Sequence, residues 1–330
     1  RNAIIKILSV ISIFIFVKDS NDLYIYSLIL VMATLTSQLI LWRFIGNNVK
    51  FVRVKWEDII VHFKPIIILF IPVIAISIYK VMDKIMLGAM SNVIQVGFYE
   101  NSEKIINIPL GVITALGTVM LPKMANLQAK GENEQSKKYI SMSMEFIMFL
   151  TYGAIFGLLG ISNVFIPIFL GKEFNNCIKL VSVLSIALLF LAWANVIRTQ
   201  FLIPNKKDKV YITSTIIGAI VNLIINLLLI GKYGAVGAAI GTVFAEASVS
   251  IYQTIKVRKE LDIKSYLGKT IFYIIPGATM YLIVKLIGSR LGVSIFTGII
   301  QISVGGLVYT SISLVYMVIS KNEVVNSIIN

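Results

Sequence analysis

The chain has 330 residues, of which 57% are hydrophobic and only 14% charged, with a mean hydropathy of +0.88. Soluble domains carry about 25% charged residues, so the composition excludes an ordinary soluble enzyme and points to an all-α chain that spans a membrane repeatedly. Thirty Lys and Arg stand against 16 Asp and Glu, a formal charge of +14, which in a soluble protein would suggest nucleic acid. Here the cations sit in short loops between apolar stretches, where they set orientation and meet anionic headgroups, so no nucleic-acid partner is expected. Cys177 and His62 are the sole residues of their types. That excludes an intrachain disulfide and argues against a zinc set or a Cys–His or Ser–His nucleophile, leaving no expected cofactor, metal or catalytic residue.

A bilayer core about 30 Å thick needs about 20 apolar helical residues to cross, and about ten stretches meet or approach that length. In chain order they are Ala3–Val17, Leu23–Trp42, Pro65–Lys84, Val96–Leu121, Ser141–Ile161, Cys177–Leu202, Val210–Ile230, Tyr233–Ile255, Lys269–Ile287 and Ile295–Ile319. Val164–Leu170 is too short to cross and reads as an interfacial or re-entrant piece. Between spans two and three, Trp56, Ile59, Ile60 and Phe63 fall at i, i+3, i+4 and i+7 beside Glu57, Asp58 and His62. That pattern predicts a helix lying in the membrane interface, either linking two bundles or packed on its own protein.

Basic residues test the span assignment, because cytoplasmic loops are enriched in them. Arg43, Lys50, Arg53, Lys55 and Lys64 follow span two; Lys123, Lys130, Lys137 and Lys138 follow span four. Lys206, Lys207 and Lys209 follow span six; Lys256, Arg258, Lys259, Lys264 and Lys269 follow span eight. These are alternate loops, which places both chain ends in the cytoplasm. The chain opens at Arg1 without Met and enters an apolar run at once, which reads as a fragment lacking its first residues.

Charges kept in lipid are expensive and mark functional positions. In span four, Glu100, Lys104, Asn107, Gly111, Thr114 and Thr118 fall at i, i+4, i+7, i+11, i+14 and i+18, one polar seam on a 3.6-residue helix. Glu103 lies off the main line, and Pro109 is expected to bend the helix. Ser77, Lys80, Asp83 and Lys84 fall near the outer end of span three, with Pro72 inside it; a short loop makes spans three and four antiparallel neighbours. Glu246 sits near the centre of span eight, where an unpaired charge costs about 3 kcal/mol, so it is either protonated or paired with a cation from another helix. Span seven adds Asn222 and Asn226 one turn apart, and span six adds Asn195, Arg198 and Thr199. Lys80, Lys84, Arg198 and Lys285 also lie close enough to span ends to snorkel. Gly237 and Gly241 have the GxxxG spacing of close helix packing.

Paired charges inside a many-helix bundle suggest a transporter. No GxxxxGK[ST] phosphate loop is present, so energy would come from an ion gradient or from the substrate's own. The stretch Asp83–Met124 reads DKIMLG, then VGFYENSEKIINIPLG, then VMLPKM. It resembles the Wzx-type polysaccharide flippases of the MOP (MATE-like) exporter superfamily. The resemblance implies two six-helix lobes, the first incomplete here. Residues 1–42 would be its last two helices, 43–64 a cytoplasmic linker, 65–255 the complete second lobe and 256–330 an additional pair. It also implies a multi-pass protein of a bacterial cell membrane that moves polyprenyl-pyrophosphate-linked oligosaccharide repeat units to the outer leaflet for capsule or exopolysaccharide assembly. The implied mechanism is alternating access around a cationic cavity, with H⁺ or Na⁺ as coupling ion, membrane lipid as surroundings and other polysaccharide-assembly proteins as partners.

On that reading Lys84, Lys104, Arg198, Asn222 and Asn226 are candidates for substrate binding, and Glu246, Glu100 and Asp83 for ion coupling, while Tyr99 is a candidate for stacking on sugar rings. Three rivals stand beside it: a small-molecule or multidrug exporter of the same superfamily, a peptidoglycan-precursor flippase, and a membrane-embedded polymerase. The last would be an enzyme, and the short outer loops, the longest being roughly Ser162–Asn176, argue against it.

Overall fold

The computed structural model describes residues 2–45, 55–61, 63 and 81–319. The chain divides into two compact units, Arg1–Ile68 and Leu69–Asn330, and every regular element among the described residues is helical. Eight of these helices are long and apolar enough to cross a membrane, as a multi-pass membrane protein requires.

In the first unit, α1 (Asn2–Phe16) packs on α2 (Leu23–Ile45). Between them the chain turns at Asp19–Asp22, where side chains satisfy the freed backbone. Asp19 accepts the Asn21 N–H at 2.8 Å, and Asp22 accepts the N–H of Lys18 at 2.7 Å. Residues 56–61 are helical, as the apolar stripe predicts, and Trp56, Ile60 and Phe63 are exposed; His62 lies outside the described residues. So does the expected third span as far as residue 80, with Pro72, Ser77 and Lys80.

The described part of the second unit begins with residues 81–90, here α3. Asn92 then caps α4 (Val93–Ala129), its side chain accepting the Gln95 N–H at 3.0 Å. At 37 residues α4 is about 55 Å long, so it outruns the bilayer core, and it continues without interruption through Pro109 and Pro122. Next comes α5 (Asn133–Phe169), also 37 residues. The separate interfacial piece expected at Val164–Leu170 is not there: as far as Phe169 it is the last turn of α5. Val164 and Ile166 are buried, and Phe165 and Leu170 pack against the same core, so burial holds the segment in the helix despite Pro167.

Helix α6 (Asn176–Val196) runs on into a π-helical turn, Ile197–Leu202. Helices α7 (Asp208–Tyr233) and α8 (Ala235–Val257) form a tight hairpin. Gly234 makes the reversal at φ +55°, a backbone state that favours glycine, and Gln95 of α4 accepts the following Ala235 N–H at 3.0 Å. The Gly237–Gly241 pair does pack helices: a Cβ on Gly237 would lie 2.5 Å from the Leu229 carbonyl oxygen. The expected ninth span, Lys269–Ile287, begins earlier and is broken. It consists of α9 (Ile263–Ile271) and α10 (Ile274–Leu291), with Pro276 in the first turn of α10, where a helix has no use for its N–H. Finally α11 (Ile295–Ile319) packs on α10 and α5.

Two apolar clusters centre α3–α8, one around Leu87, Ile105, Leu180 and Leu188, the other around Met124, Ile147, Val196 and Ile197. A third, of Met280, Val284 and Tyr309 against Phe149 and Phe156, fastens α10 and α11 to α5. Glycines admit that contact: a Cβ on Gly160 would stand 2.8 Å from Val284 Cγ1. Gly160→Leu is therefore expected to destabilise the unit by about 1–3 kcal/mol through overpacking, read as a lower melting temperature in detergent. An unchanged melting curve would mean that α10 is not seated there.

Candidate functional site

Within the second unit a cavity of about 390 Å³ opens between α3, α4, α6, α7 and α8. Its lining mixes apolar side chains such as Leu110, Leu184 and Leu191 with a larger number of polar ones, among them Glu103, Asn107, Arg198 and Glu246.

At one end lies Asp83, 6% exposed. Helix α3 supplies the carboxylate, and three other helices supply its donors. Asn222 and Asn226, one turn apart on α7, donate through their side-chain nitrogens to Oδ1 at 2.9 and 2.6 Å. The Tyr99 hydroxyl of α4 and the Thr242 hydroxyl of α8 donate to Oδ2 at 2.7 and 2.9 Å. Four donors on two oxygens satisfy the carboxylate inside an apolar bundle, where an unsatisfied one would be excluded. Asn226 also donates to Asn222 Oδ1 at 3.0 Å, which ties the two amides together. Gly241 of α8 is what lets Asn226 approach, since a Cβ there would collide with Asn226 Oδ1. The hydrogen bonds thus make α3, α4, α7 and α8 meet at one charge.

Arg198 and Glu246 line the same cavity. Arg198 belongs to the π-helical turn, an element rare in proteins and frequent at functional sites. Instead of snorkelling outward it is half-buried, its guanidinium 5.5 Å from the centre of the Tyr211 ring, within range of a cation–π interaction. Glu246, two turns from Gln253 on α8, is half-buried too. Two buried acceptors of the lining, Asn195 Oδ1 and Gln253 Oε1, have no hydrogen-bond partner among the described residues. The cavity can therefore receive donors such as hydroxyls or a cation at one wall and an anion at Arg198.

The polar seam of α4 divides. Asn107 and Thr114 line the cavity, while Glu100 and Lys104 lie outside it and pair with each other at 3.4 Å, both well exposed. Lys84 is also outside: it pairs at 2.9 Å with Glu103, the residue that spacing alone put off the line and that itself reaches the cavity. Tyr99 is not an exposed platform for stacking, because it is 2% exposed, its ring lies in the apolar core and its hydroxyl serves Asp83. Glu145 escaped the sequence reading. It is buried on α5 and accepts the Tyr273 hydroxyl at 3.2 Å, joining α5 to the start of α10; its place near the start of a long apolar run gave no periodic signal.

A polytopic helical bundle with a charged cavity inside it is the architecture of a membrane transporter. The comparisons narrow this. Residues 2–128 match the family model described as polysaccharide biosynthesis protein. Over 260 residues, 76% of this chain and 53% of the relative, the sequence is 27% identical to the probable low-salt glycan biosynthesis flippase Agl15 of Haloferax volcanii. Over 252 residues, 76% of this chain and 62% of the relative, it is 24% identical to a putative O-antigen transporter of Shigella dysenteriae. A solved structure, lipid II flippase MurJ in an inward closed conformation, matches with a TM-score of 0.78 at 18% identity, covering 96% of this chain and 66% of that one; at that identity it shows the fold. The resemblance to the Wzx-type flippases of the MOP superfamily, read from Asp83–Met124, is borne out. The chain spans between about half and two thirds of the length of these proteins, and the two relatives are named for transport rather than for an enzymatic reaction.

Proposed function

We propose that this chain is the greater part of a flippase that moves polyprenyl-pyrophosphate-linked oligosaccharide repeat units to the outer leaflet of a bacterial cell membrane, for capsule or exopolysaccharide assembly. The observation that carries the reading is the cavity of α3–α8, where a cation, Arg198, and a carboxylate, Glu246, are retained inside an apolar bundle. The relatives' names, a glycan biosynthesis flippase and an O-antigen transporter, support a glycan cargo, and the polyprenyl-pyrophosphate carrier is what the resemblance implies. Arg198 suits pyrophosphate or acidic-sugar oxygens, because anionic oxygens seek cationic donors; Lys104 and Lys84, outside the cavity and paired with Glu100 and Glu103, would have to exchange those partners to join it. The alternating basic loops support cytoplasmic chain ends. The reading carries with it a division into residues 1–42, 43–64, 65–255 and 256–330, in which 65–255 would be the complete second lobe.

Ion coupling is assigned to the carboxylates. At Asp83, rotating the Asn222 and Asn226 amides would turn their Oδ1 atoms toward the carboxylate, making with Thr242 Oγ1 an oxygen set suited to a hard cation such as Na⁺. Protonation of Asp83 would break the same four-donor arrangement. Either event changes what ties α3 to α7 and α8, which is what a coupling ion must do. Glu246 and Glu100 are the other candidates.

The test places the lipid-linked single repeat unit on a leaflet in a deletion strain, using a membrane-impermeant sugar-oxidising reagent on intact protoplasts. Protected units released only by lysis support the flippase. Accessible single units would point to a missing polymerase and overturn it, and absence of accumulation would favour a small-molecule exporter. If the protected species is the peptidoglycan precursor, the headgroup assignment moves to that substrate, the activity for which the matched solved structure is named. In the complemented strain, Arg198→Ala and Glu246→Gln are expected to cut flipping at least tenfold with normal membrane levels. Retained flipping in both would remove them from the site.

A further inference from the structure

A second cleft, about 670 Å³, lies at the far end of the unit from the Gly234 turn, where the connection between α8 and α9 meets the first turns of α5. Four cationic side chains line it, Lys137, Arg258, Lys259 and Lys264, against two carboxylates, Glu260 and Asp262. Both carboxylates are already engaged. Glu260 is ion-paired with Lys207, and Asp262 caps α9 by accepting the Ser265 N–H at 3.2 Å. Lys137 is paired with Glu134. Arg258, Lys259 and Lys264 are exposed and make no ion pair among the described residues. The backbone N–H does not cancel the Asp262 charge, but Arg258, Lys259 and Lys264 outnumber it and leave the cleft an excess of positive charge that suits an anion.

The neighbouring apolar residues say what kind. Helix α9 turns Tyr266 and Thr270 into the protein, where both are buried. Its other face carries Lys264, Leu267 and Ile271 at i, i+3 and i+7; Leu267 is 51% and Ile271 59% exposed, and Ile255 in the cleft wall is 51% exposed. Ile271 lies about 10 Å along the helix axis from Lys264. Cations come first and an uncovered apolar strip follows toward α10, which enters the membrane. A phospholipid has that order, anionic headgroup and then acyl chain, whereas a free phosphate has no use for the strip.

We propose that this cleft binds one anionic phospholipid, its phosphate against Arg258, Lys259 and Lys264 and an acyl chain along Leu267 and Ile271. The site is independent of the cavity at Asp83 and Arg198 and of the transported substrate; it rests on the orientation that puts the α8–α9 connection on the cytoplasmic side. Acidic lipid of the inner leaflet would hold the amphipathic α9 in the interface and with it the entry of α10.

The experiment measures lipid retained on the purified protein by native mass spectrometry, using dioleoylphosphatidylglycerol, dioleoylphosphatidylcholine and glycerol 3-phosphate as probes. One phosphatidylglycerol is expected to remain under conditions that strip phosphatidylcholine. Arg258→Gln/Lys259→Gln/Lys264→Gln should lower its retention at least fivefold with an unchanged circular-dichroism melt, as expected for exposed positions. Leu267→Ser/Ile271→Ser, with all cations intact, should also lower it. Equal retention of the two lipids, or no loss in the triple variant, overturns the proposal. Displacement of phosphatidylglycerol by an equal concentration of glycerol 3-phosphate overturns it too, since the site would then read phosphate alone.

Discussion

Asp83→Ala is expected to remove most of the folded protein, and Asp83→Asn to preserve the fold while abolishing transport. Alanine leaves the Asn222 and Asn226 amides and the Tyr99 and Thr242 hydroxyls pointing at an empty volume. Each buried donor left unsatisfied costs about 1–3 kcal/mol. The costs are not additive, because Asn226 can fall back on Asn222 Oδ1 and Thr242 on the Ala238 carbonyl at 3.1 Å, but a loss of at least about 3 kcal/mol remains. Asparagine keeps the volume and one acceptor oxygen, so the four helices stay together, yet it cannot carry a charge or exchange it for an ion. Membrane yield and melting temperature in detergent separate the fold from the activity, which the leaflet assay reads. An Asp83→Ala protein that melts normally would show that the cradle contributes little to stability; an Asp83→Asn protein that still flips would dismiss Asp83 from coupling.

The glycines of α8 give the second large effect, and they should fail differently. At Gly237 an added methyl meets the backbone of Leu229, with its carbonyl carbon 2.6 Å away. Backbone cannot rotate aside, so Gly237→Ala must part α7 from α8, with an overpacking cost of about 3 kcal/mol, and the yield of folded protein should drop. At Gly241 the obstacle is the side chain of Asn226, which can move, but only by leaving Asp83. Gly241→Ala is therefore expected to fold and to lose transport, in the manner of Asp83→Asn. Paired melting and leaflet measurements check this. If both variants melt normally and flip normally, the close approach of α7 and α8 is not needed; if Gly241→Ala fails only by unfolding, its link to Asp83 is broken.

Much of the fold was written in the chain. Apolar runs of bilayer length define the helices, and period 3.6 in span four identified a seam of which Asn107 and Thr114 do reach the cavity. Small residues at i and i+4 on α8 announced close packing. The misreadings have physical causes. Span length counts only residues that suit lipid, so it could not foresee that α4 and α5 would run to 37 residues each, extended by the Asn92 cap on α4 and by burial along both helices. Nor could it foresee that Val164–Phe169 would stay helical, since what holds it there is a core built from other helices.

What the sequence determined by itself is the solvent, the helices and the set of expensive polar groups, because each is a property of one residue or of its near neighbours along one helix. Which of those groups meet was decided only by the tertiary structure. Asp83 and Thr242 are 159 residues apart in the chain, and no periodicity relates them. Asn222 and Asn226 looked like substrate ligands or helix–helix glue until α7 turned them onto a carboxylate from α3, and Glu103 looked peripheral until Lys84 came to it. In an apolar bundle a charge must find partners wherever packing supplies them, so the pairing of the site belongs to the fold and not to the spacing.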